Sequence, residues 1–381
     1  MKINVVRIGV NQILKYLLLV FLLFFDLSAK NTTLYIPKID KEPTFVSMIF
    51  CGDVMGHTPQ INAAYNPSDG TYDYTVCFEQ IKPYVESADI AVANLEVPLA
   101  GKPYSGYPQF SSPDELLDAL RYTGYDVILT ANNHVVDRGA KGLTRTIAQI
   151  EERRLMRAGS YFDSLDRKAR YPLIIEKNGL RIALLNCTYD TNGIPVPSPT
   201  IVNLIDTAQI RRDVQKAKNE EADFIVMCIH WGNEYELKAN REQQKTAQFL
   251  ADAGVHLIIG AHPHVVQNAE TIYGKDSVEV PVYYSLGNAI SNQRWEHSNG
   301  GIMVRVDIHS QTKKIVQTTY LPVYVHKGTL HGKYQYHLIA TPDYLANPAH
   351  YALNAKDSAD LVLFDKQTRK RLGNKEVNSV Y

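Results

Sequence analysis

The chain has 381 residues, enough for one large domain or two, and 45% of them are hydrophobic. Forty basic residues balance forty acidic ones, giving a formal net charge of zero. That balance excludes a general nucleic-acid or polyanion binder, which needs a basic excess to neutralise phosphate.

The first segment reads as a targeting signal. Lys2, Arg7 and Lys15 precede an apolar run over 16–25, and Leu27-Ser28-Ala29 supplies a small residue for cleavage. Basic, apolar and small residues in that order are the layout of a secretory signal. The run is shorter than the ~20 residues of a membrane span. An uncleaved N-terminal anchor over 1–29 is the alternative, and no cysteine stands near the cleavage point for a lipid. Either way the bulk of the chain is expected outside the cytoplasm: periplasmic, at the cell surface or membrane-anchored.

From residue 44 apolar β-type runs alternate with helical patterns. Strands are predicted over 44–51, 90–93, 126–129, 181–187, 224–229, 256–259 and 282–286. Near-continuous apolar strands separated by helices indicate sheets covered on both faces, a layered α/β fold. Helices are predicted over 114–121, opened by a capping box on Ser112 and stopped by Gly124, over 142–156, and over 240–253, stopped by Gly254. The main domain is expected over 44–300. Beyond it, runs at 302–308 and 315–325 flank a polar turn at 310–314, an antiparallel hairpin. A polar tail from Asp357 completes a 301–381 extension packed on the main domain, and its Arg369-Lys370-Arg371 run reads as a solvated face. Cys51, Cys187 and Cys228 sit in core-strand positions, and all four cysteines read as structural rather than as metal ligands.

Polar residues follow the strands in a pattern. Gly52-Asp53-Val54-Met55-Gly56-His57 follows the first, Asn94-Leu95-Glu96 the second and Ala131-Asn132-Asn133-His134-Val135-Val136-Asp137 the third. His230-Trp231-Gly232-Asn233-Glu234-Tyr235, Gly260-Ala261-His262-Pro263-His264 and Gly287-Asn288 follow three later ones. Ligand sites of open α/β folds lie beyond the carboxyl ends of the strands. Five of the 12 histidines fall there, with Asp53, Glu96 and Asn133. Residues i and i+2 of an extended chain point the same way, and Pro263 biases His262 toward that conformation, so both imidazoles are expected to face one site. Carboxylate, amide oxygen and imidazole without thiolate suit Mn, Fe or Zn. Seven or more candidates exceed what one structural ion needs, which favours a two-metal centre.

These motifs, in this order from about Cys51 to Asn292, resemble the capsule-synthesis CapA family, associated with poly-γ-glutamate capsules and similar to calcineurin-like metallophosphoesterases. The resemblance implies a sandwich of that type and two divalent metal ions. It places Asp53 and His264 on the first metal, Asn133, His230 and His262 on the second, Glu96 as the bridge and His134 as the general acid. The chain departs from the phosphoesterase pattern twice: His57 lies four residues after Asp53 rather than two, and Glu96 stands where an aspartate is usual. His57 stays a further candidate ligand. Trp231, Glu234, Tyr235 and Asn288 are candidate cleft residues, Trp231 and Tyr235 alternatively packing, Glu234 alternatively orienting His230, and Asn288 fixing the loop beneath. Asp137 is expected to orient His134 or cap a helix. His256 reads as packed, and His297, His309, His326, His331, His337 and His350 as surface residues.

Two classes of function follow. One is an exported hydrolase that cleaves a phosphoester or a glutamyl-type amide in an anionic surface polymer. The other is a metal-binding accessory subunit working with membrane-bound polymer synthase components. A carboxylate-pair glycosidase built on Asp53 and Glu96 is a third reading, and it leaves five histidines without a role.

Overall fold

The computed structural model describes residues 44–373, so the signal or anchor expected over 1–29 lies outside the described residues. Among the described residues no helix is long and apolar enough to cross a membrane. The elements that position the site are, in chain order, β1 (Phe45–Val54), α1 (Thr58–Ala64), β2 (Ile90–Leu95), α2 (Glu115–Thr123), β3 (Val127–Leu129), α3 (Gly139–Glu152), β4 (Met156–Ala158), β5 (Leu173–Lys177) and β6 (Leu180–Thr188). They continue with α4 (Thr207–Asn219), β7 (Phe224–His230), α5 (Arg241–Ala253), β8 (Leu257–Ala261), β9 (Ala269–Tyr273), β10 (Glu279–Tyr283), β11 (Asn288–Ile290), β12 (Gly300–His309), β13 (Lys314–Leu330), β14 (Lys333–Ala340) and α6 (Ala355–Leu372).

Two sheets form the centre. The first runs β14-β13-β12-β1-β2-β3-β4, with β11 alongside the end of β1. The second runs β9-β10-β8-β7-β6-β5. β1 to β4 are mutually parallel, and so are β6, β7, β8 and β10. Strand periodicity sorts the side chains. Val46, Met48 and Phe50 of β1 join Val226 and Cys228 of β7 and Leu257 and Ile259 of β8 in the layer between the sheets. The alternate residues Ile49 and Cys51 pack with Leu116, Leu117 and Leu120 of α2. Ile225, Met227 and Ile229 pack with Ile210 and Val214 of α4 and Ala247 and Leu250 of α5. The order of layers is α/β/β/α, the expected sandwich. All four cysteines are buried and free.

Several boundaries differ from the sequence reading. Tertiary pairing overrides helical periodicity at Met156–Ala158, which joins the first sheet as β4, so α3 spans Gly139–Glu152. The capping box on Ser112 does not form; Asp114 takes the N-cap, and the buried Ser112 hydroxyl has no partner. Asn240 does cap α5, its side chain accepting from the Gln243 N–H, and Gly254 ends that helix at φ +105°. The C-terminal hairpin gains a third strand, and β12 pairs antiparallel with β1 from Phe45↔His309 to Phe50↔Val304. The polar tail is helix α6, which buries Leu361, Phe364 and Leu372. Two of the histidines read as surface are buried instead. His326 and His337 face each other across β13 and β14, rings 6.0 Å apart.

Gly52 sets the approach of β1 to the loop before β11. A Cβ there would stand 2.0 Å from the Gly287 carbonyl oxygen. The next residue, Asp53, pairs with Asn288 on β11 and Asn94 on β2. Gly52→Ala is expected to destabilise the protein by about 1–3 kcal/mol through overpacking. Urea denaturation checks this, and an unchanged midpoint would show that the two segments are not in close contact.

Candidate functional site

The carboxyl ends of β1, β2, β3, β7 and β8 converge. Asp53 lies at the end of β1, Glu96 follows β2, Asn133 and His134 follow β3, His230 ends β7, and His262 and His264 follow β8. Their donor atoms gather in overlapping groups. Asp53, Glu96 and His264 form one, Glu96, His230 and His262 a second, and Glu234, His262 and His264 a third. Within each group the ligand atoms lie within 4.8 Å of one another. Glu96 belongs to both of the first two.

Other polar side chains orient these donors. Asn94 Nδ2 donates to Asp53 Oδ1 at 2.8 Å, and His264 Nδ1 stands 3.1 Å from Asp53 Oδ2. Asn288 Oδ1 is also 3.1 Å from His264 Nδ1, while Asn288 Nδ2 donates to the carbonyls of His264 and Ser298. Asn192 takes the Asn133 amide N–H at 3.2 Å, which turns the Asn133 oxygen to His230 Nε2 at 2.9 Å. Glu96 Oε1 lies 3.3 Å from His230 Nε2 and 3.7 Å from His264 Nε2. Neither oxygen of Glu96 has a hydrogen-bond partner, and neither does His262 Nδ1, although all three atoms are buried.

The electrostatics follow from this packing. Burial, then the charge of Asp53, pushes the Glu96 carboxyl well above the usual carboxylate range. Burial pushes Asp53 the same way, but hydrogen bonding to His264 and the charge of both His264 and His230 hold it below its ordinary value. Burial lowers His230 to about 3 and His262 well below the ordinary imidazole value. Both are therefore neutral at neutral pH, the form that binds metal. Orphaned carboxylate oxygens and an orphaned imidazole nitrogen, facing one another without thiolates, fit divalent cations in a mixed nitrogen and oxygen set.

The His-Pro-His turn differs from the extended segment expected. φ is +98° at His262 and +56° at His264, with the rings 6.0 Å apart. Hydrogen bonds on either side outweigh the bias from Pro263. Trp231 and Tyr235 N–H donate to the Ala261 and Pro263 carbonyls at 3.1 and 2.8 Å, and His262 N–H donates to Asp53 Oδ2 at 3.3 Å. Non-glycine residues in the left-handed region cost of order 1–3 kcal/mol each.

His134 sits beside the cluster. Its Nδ1 is 2.9 Å from Asp137 Oδ2, which also accepts the Phe110 N–H at 2.8 Å, and the Phe110 ring packs edge-on against it at 4.7 Å. This leaves Nε2 for the adjoining cleft of about 740 Å³, lined by His57, Phe110, His134, Glu234, Tyr235 and Arg294 among others. His57 lines that cleft outside all three groups. Its Nδ1 is engaged with Gln60 of α1 at 3.0 Å and the Asn292 N–H at 3.3 Å. Trp231 is not in the cleft: it is buried against Tyr284 and donates to the Tyr284 carbonyl at 2.8 Å. Asn288 is fully buried beneath His264 rather than lining the cleft. Tyr189 escaped the sequence reading; its ring packs 4.6 Å from His262. It directly follows β6, so the rule that picks strand ends would have found it. Asn94 and Asn192 were also missed, and so were Phe110 and Arg294, which belong to long loops.

In the metal-free protein the fold holds His57 at about 4, chiefly through burial, whereas an unfolded histidine takes its proton near 6.5. Below pH 6.5 the unfolded chain therefore binds more protons there than the native one, and this contribution to stability falls as the pH drops toward 4. Glu96, which holds its proton more tightly when folded, acts in the opposite sense, so the readout is a difference between variants. Between pH 6.5 and 4, in chelator, wild type is expected to lose up to about 1.4 kcal/mol per pH unit more than His57→Asn. Parallel urea-stability profiles for the two proteins would contradict a neutral His57.

A family model for the bacterial capsule synthesis protein PGA_cap matches residues 47–293, a span that holds every residue of the three groups. The capsule biosynthesis protein CapA of Bacillus anthracis is 28% identical over 314 residues, 79% of this chain and 72% of that protein. The PGA biosynthesis protein CapA of Bacillus subtilis (strain 168) is 26% identical over 293 residues, 74% and 73% of the two chains. Among solved structures, the NAD nucleotidase NadN of Haemophilus influenzae matches with a TM-score of 0.51 at 10% identity, over 87% of this chain and 64% of that one. That likeness is one of fold alone, the layered α/β/β/α sandwich. By the match that spans most of its length, the chain belongs to the bacterial capsule synthesis protein PGA_cap family.

Proposed function

We propose that this chain is an exported, metal-dependent hydrolase of capsule or surface-polymer metabolism. Two divalent ions (Mn, Fe or Zn) would be held by Asp53, Glu96 and His264 and by Glu96, His230 and His262, with Asn133 completing the second set. One observation carries the reading: Glu96, buried and without a hydrogen-bond donor, is common to both groups. A bound metal pair lowers the pKa of water and polarises the substrate oxygen.

The chain's own residues supply the rest. Asp137 fixes the His134 ring through Nδ1, so Nε2 faces the cleft and gives a proton to the departing group. Burial of Asp53, Glu96 and His230 keeps bulk water from the donors. The bond cut is a phosphoester or a glutamyl-type amide; the names of the two CapA relatives, capsule and PGA biosynthesis, favour an anionic surface polymer. Membrane-bound polymer synthase components are the expected partners, and the basic-apolar-small layout of 1–29 supports export. A glycosidase pairing of Asp53 with Glu96 is disfavoured, because both are fully buried in one group with His264 and a sugar needs room between its two carboxyl groups.

Elemental analysis after Mn or Zn loading is expected to find about two ions per chain, and a protein that binds none rules the proposal out. Metal-loaded protein is then screened on a model phosphodiester and on γ-glutamyl peptides. His134→Ala is expected to lower turnover about 10²–10⁴-fold with metal content unchanged. An unchanged capsule or polymer phenotype in that variant would instead favour a non-catalytic accessory subunit, and undiminished turnover would take the general-acid role from His134.

A further inference from the structure

Arg294 and Trp295 line both the cleft beside the candidate metal centre and a neighbouring cavity of about 380 Å³. The two spaces meet at these side chains. The neighbouring cavity also holds Lys327, on β13. Arg294 and Lys327 share one support. The guanidinium of Arg294 lies 5.6 Å and the ammonium of Lys327 5.4 Å from the centroid of the Tyr336 ring. Tyr336 is fully buried, and its hydroxyl donates to Asn292. A buried aromatic ring thus draws two exposed cations together.

These cations are left over when internal pairing is counted. Arg294 donates only to the carbonyls of Ser291 and Gln293, at 3.4 and 2.8 Å, and Lys327 to Asn292 Oδ1 at 3.3 Å. Neither forms an ion pair among the described residues. The carboxylates of the same cavity are already engaged. Asp360 pairs with Lys356 at 2.7 Å, Glu296 faces His297 at 3.3 Å, and Asp357 accepts from Asn354 at 2.8 Å and faces His326 Nδ1 at 3.5 Å. Neither cation has a carboxylate at ion-pair distance, Asp357 acting on Arg294 only from farther off, so an external anion held by both offsets their charge. Arginine adds a planar fork suited to carboxylate or phosphate oxygens.

We propose that Arg294 and Lys327 form an anion-binding subsite for a carboxylate or phosphate group of the substrate, remote from the bond held at the metal centre. This rests on the reading of the adjoining cleft as a substrate cleft. The site then selects substrates that carry at least two anionic groups, one at the reacting end and one beyond Arg294.

Calorimetry on the full, metal-loaded protein tests the subsite with two probes, triglutamate and tripolyphosphate. The double variant R294Q/K327Q is expected to bind at least one probe about tenfold more weakly or worse. Its metal content is expected to equal that of wild type, because neither side chain touches a candidate ligand. The charge-preserving pair R294K/K327R is expected to keep most of the affinity. Loss for triglutamate alone identifies the group as a carboxylate, loss for tripolyphosphate alone as a phosphate, and loss for both as their shared anionic chemistry. Equal affinities in wild type and R294Q/K327Q, equal losses in both double variants, or a wild type that binds neither probe would overturn the proposal. If wild type holds no metal yet R294Q/K327Q still loses the probes, the hydrolase reading fails and the subsite stands.

Discussion

A carboxylate buried without a single hydrogen-bond donor sets the terms for this molecule. Glu96 sits at the end of a central strand, fully enclosed, with His230 and His264 as its near neighbours. An isolated ionised carboxyl in such surroundings costs several kcal/mol, and among the described residues no arginine or lysine pairs with it. Burial pushes His230 and the nearby His262 toward neutrality, so neither balances its charge. A proton on Glu96 relieves the conflict in the empty site, and a cation entering between these donors would relieve it with the carboxylate ionised. The same arrangement that weakens the empty fold is one that a bound divalent cation would stabilise.

Placing that carboxylate needs both sheets at once. Asp53 and Glu96 come from the first sheet, His230 and His262 from the second, so the cluster exists only where the sandwich is closed. β1 is the hinge of this geometry: it pairs with β2, β11 and β12, and its Gly52 admits the Gly287 carbonyl at a distance no side chain would tolerate. Asn94 and Asn288, in register with Asp53 on either side, then fix Asp53 and His264. The C-terminal strands complete the same sheet. They also bring Lys327 to the cavity that adjoins the cleft, and Tyr336 to the cations of Arg294 and Lys327.

Much of this was legible in the sequence, and the reasons are physical. A buried strand announces itself as an apolar run, and the residue that breaks the run faces the ligand edge, which is why Asp53, Glu96, Asn133, His230, His262 and His264 could be picked without coordinates. Residues that reach the site from long loops carry no such periodic signal, so Phe110 and Arg294 were invisible. Conformation at His262 was misread because a local preference before proline was weighed without the hydrogen bonds that later fix the turn. His326 and His337 were misread because their burial depends on a cross-strand partner that only register supplies. Helix α6 hid its apolar stripe of Leu361, Phe364 and Leu372 inside a charged sequence.

One oxygen of Asp137 has two donors. It receives the backbone N–H of Phe110 and faces the ring nitrogen of His134, while Arg138 holds the Phe110 carbonyl from the other side. Tyr107, three residues before Phe110, stands exposed at the mouth of the cleft. The loop that carries Tyr107 and the His134 imidazole thus share Asp137 as a common anchor. A displacement of the Tyr107 loop would pull on the same oxygen that holds the His134 ring, so the two are not mechanically independent.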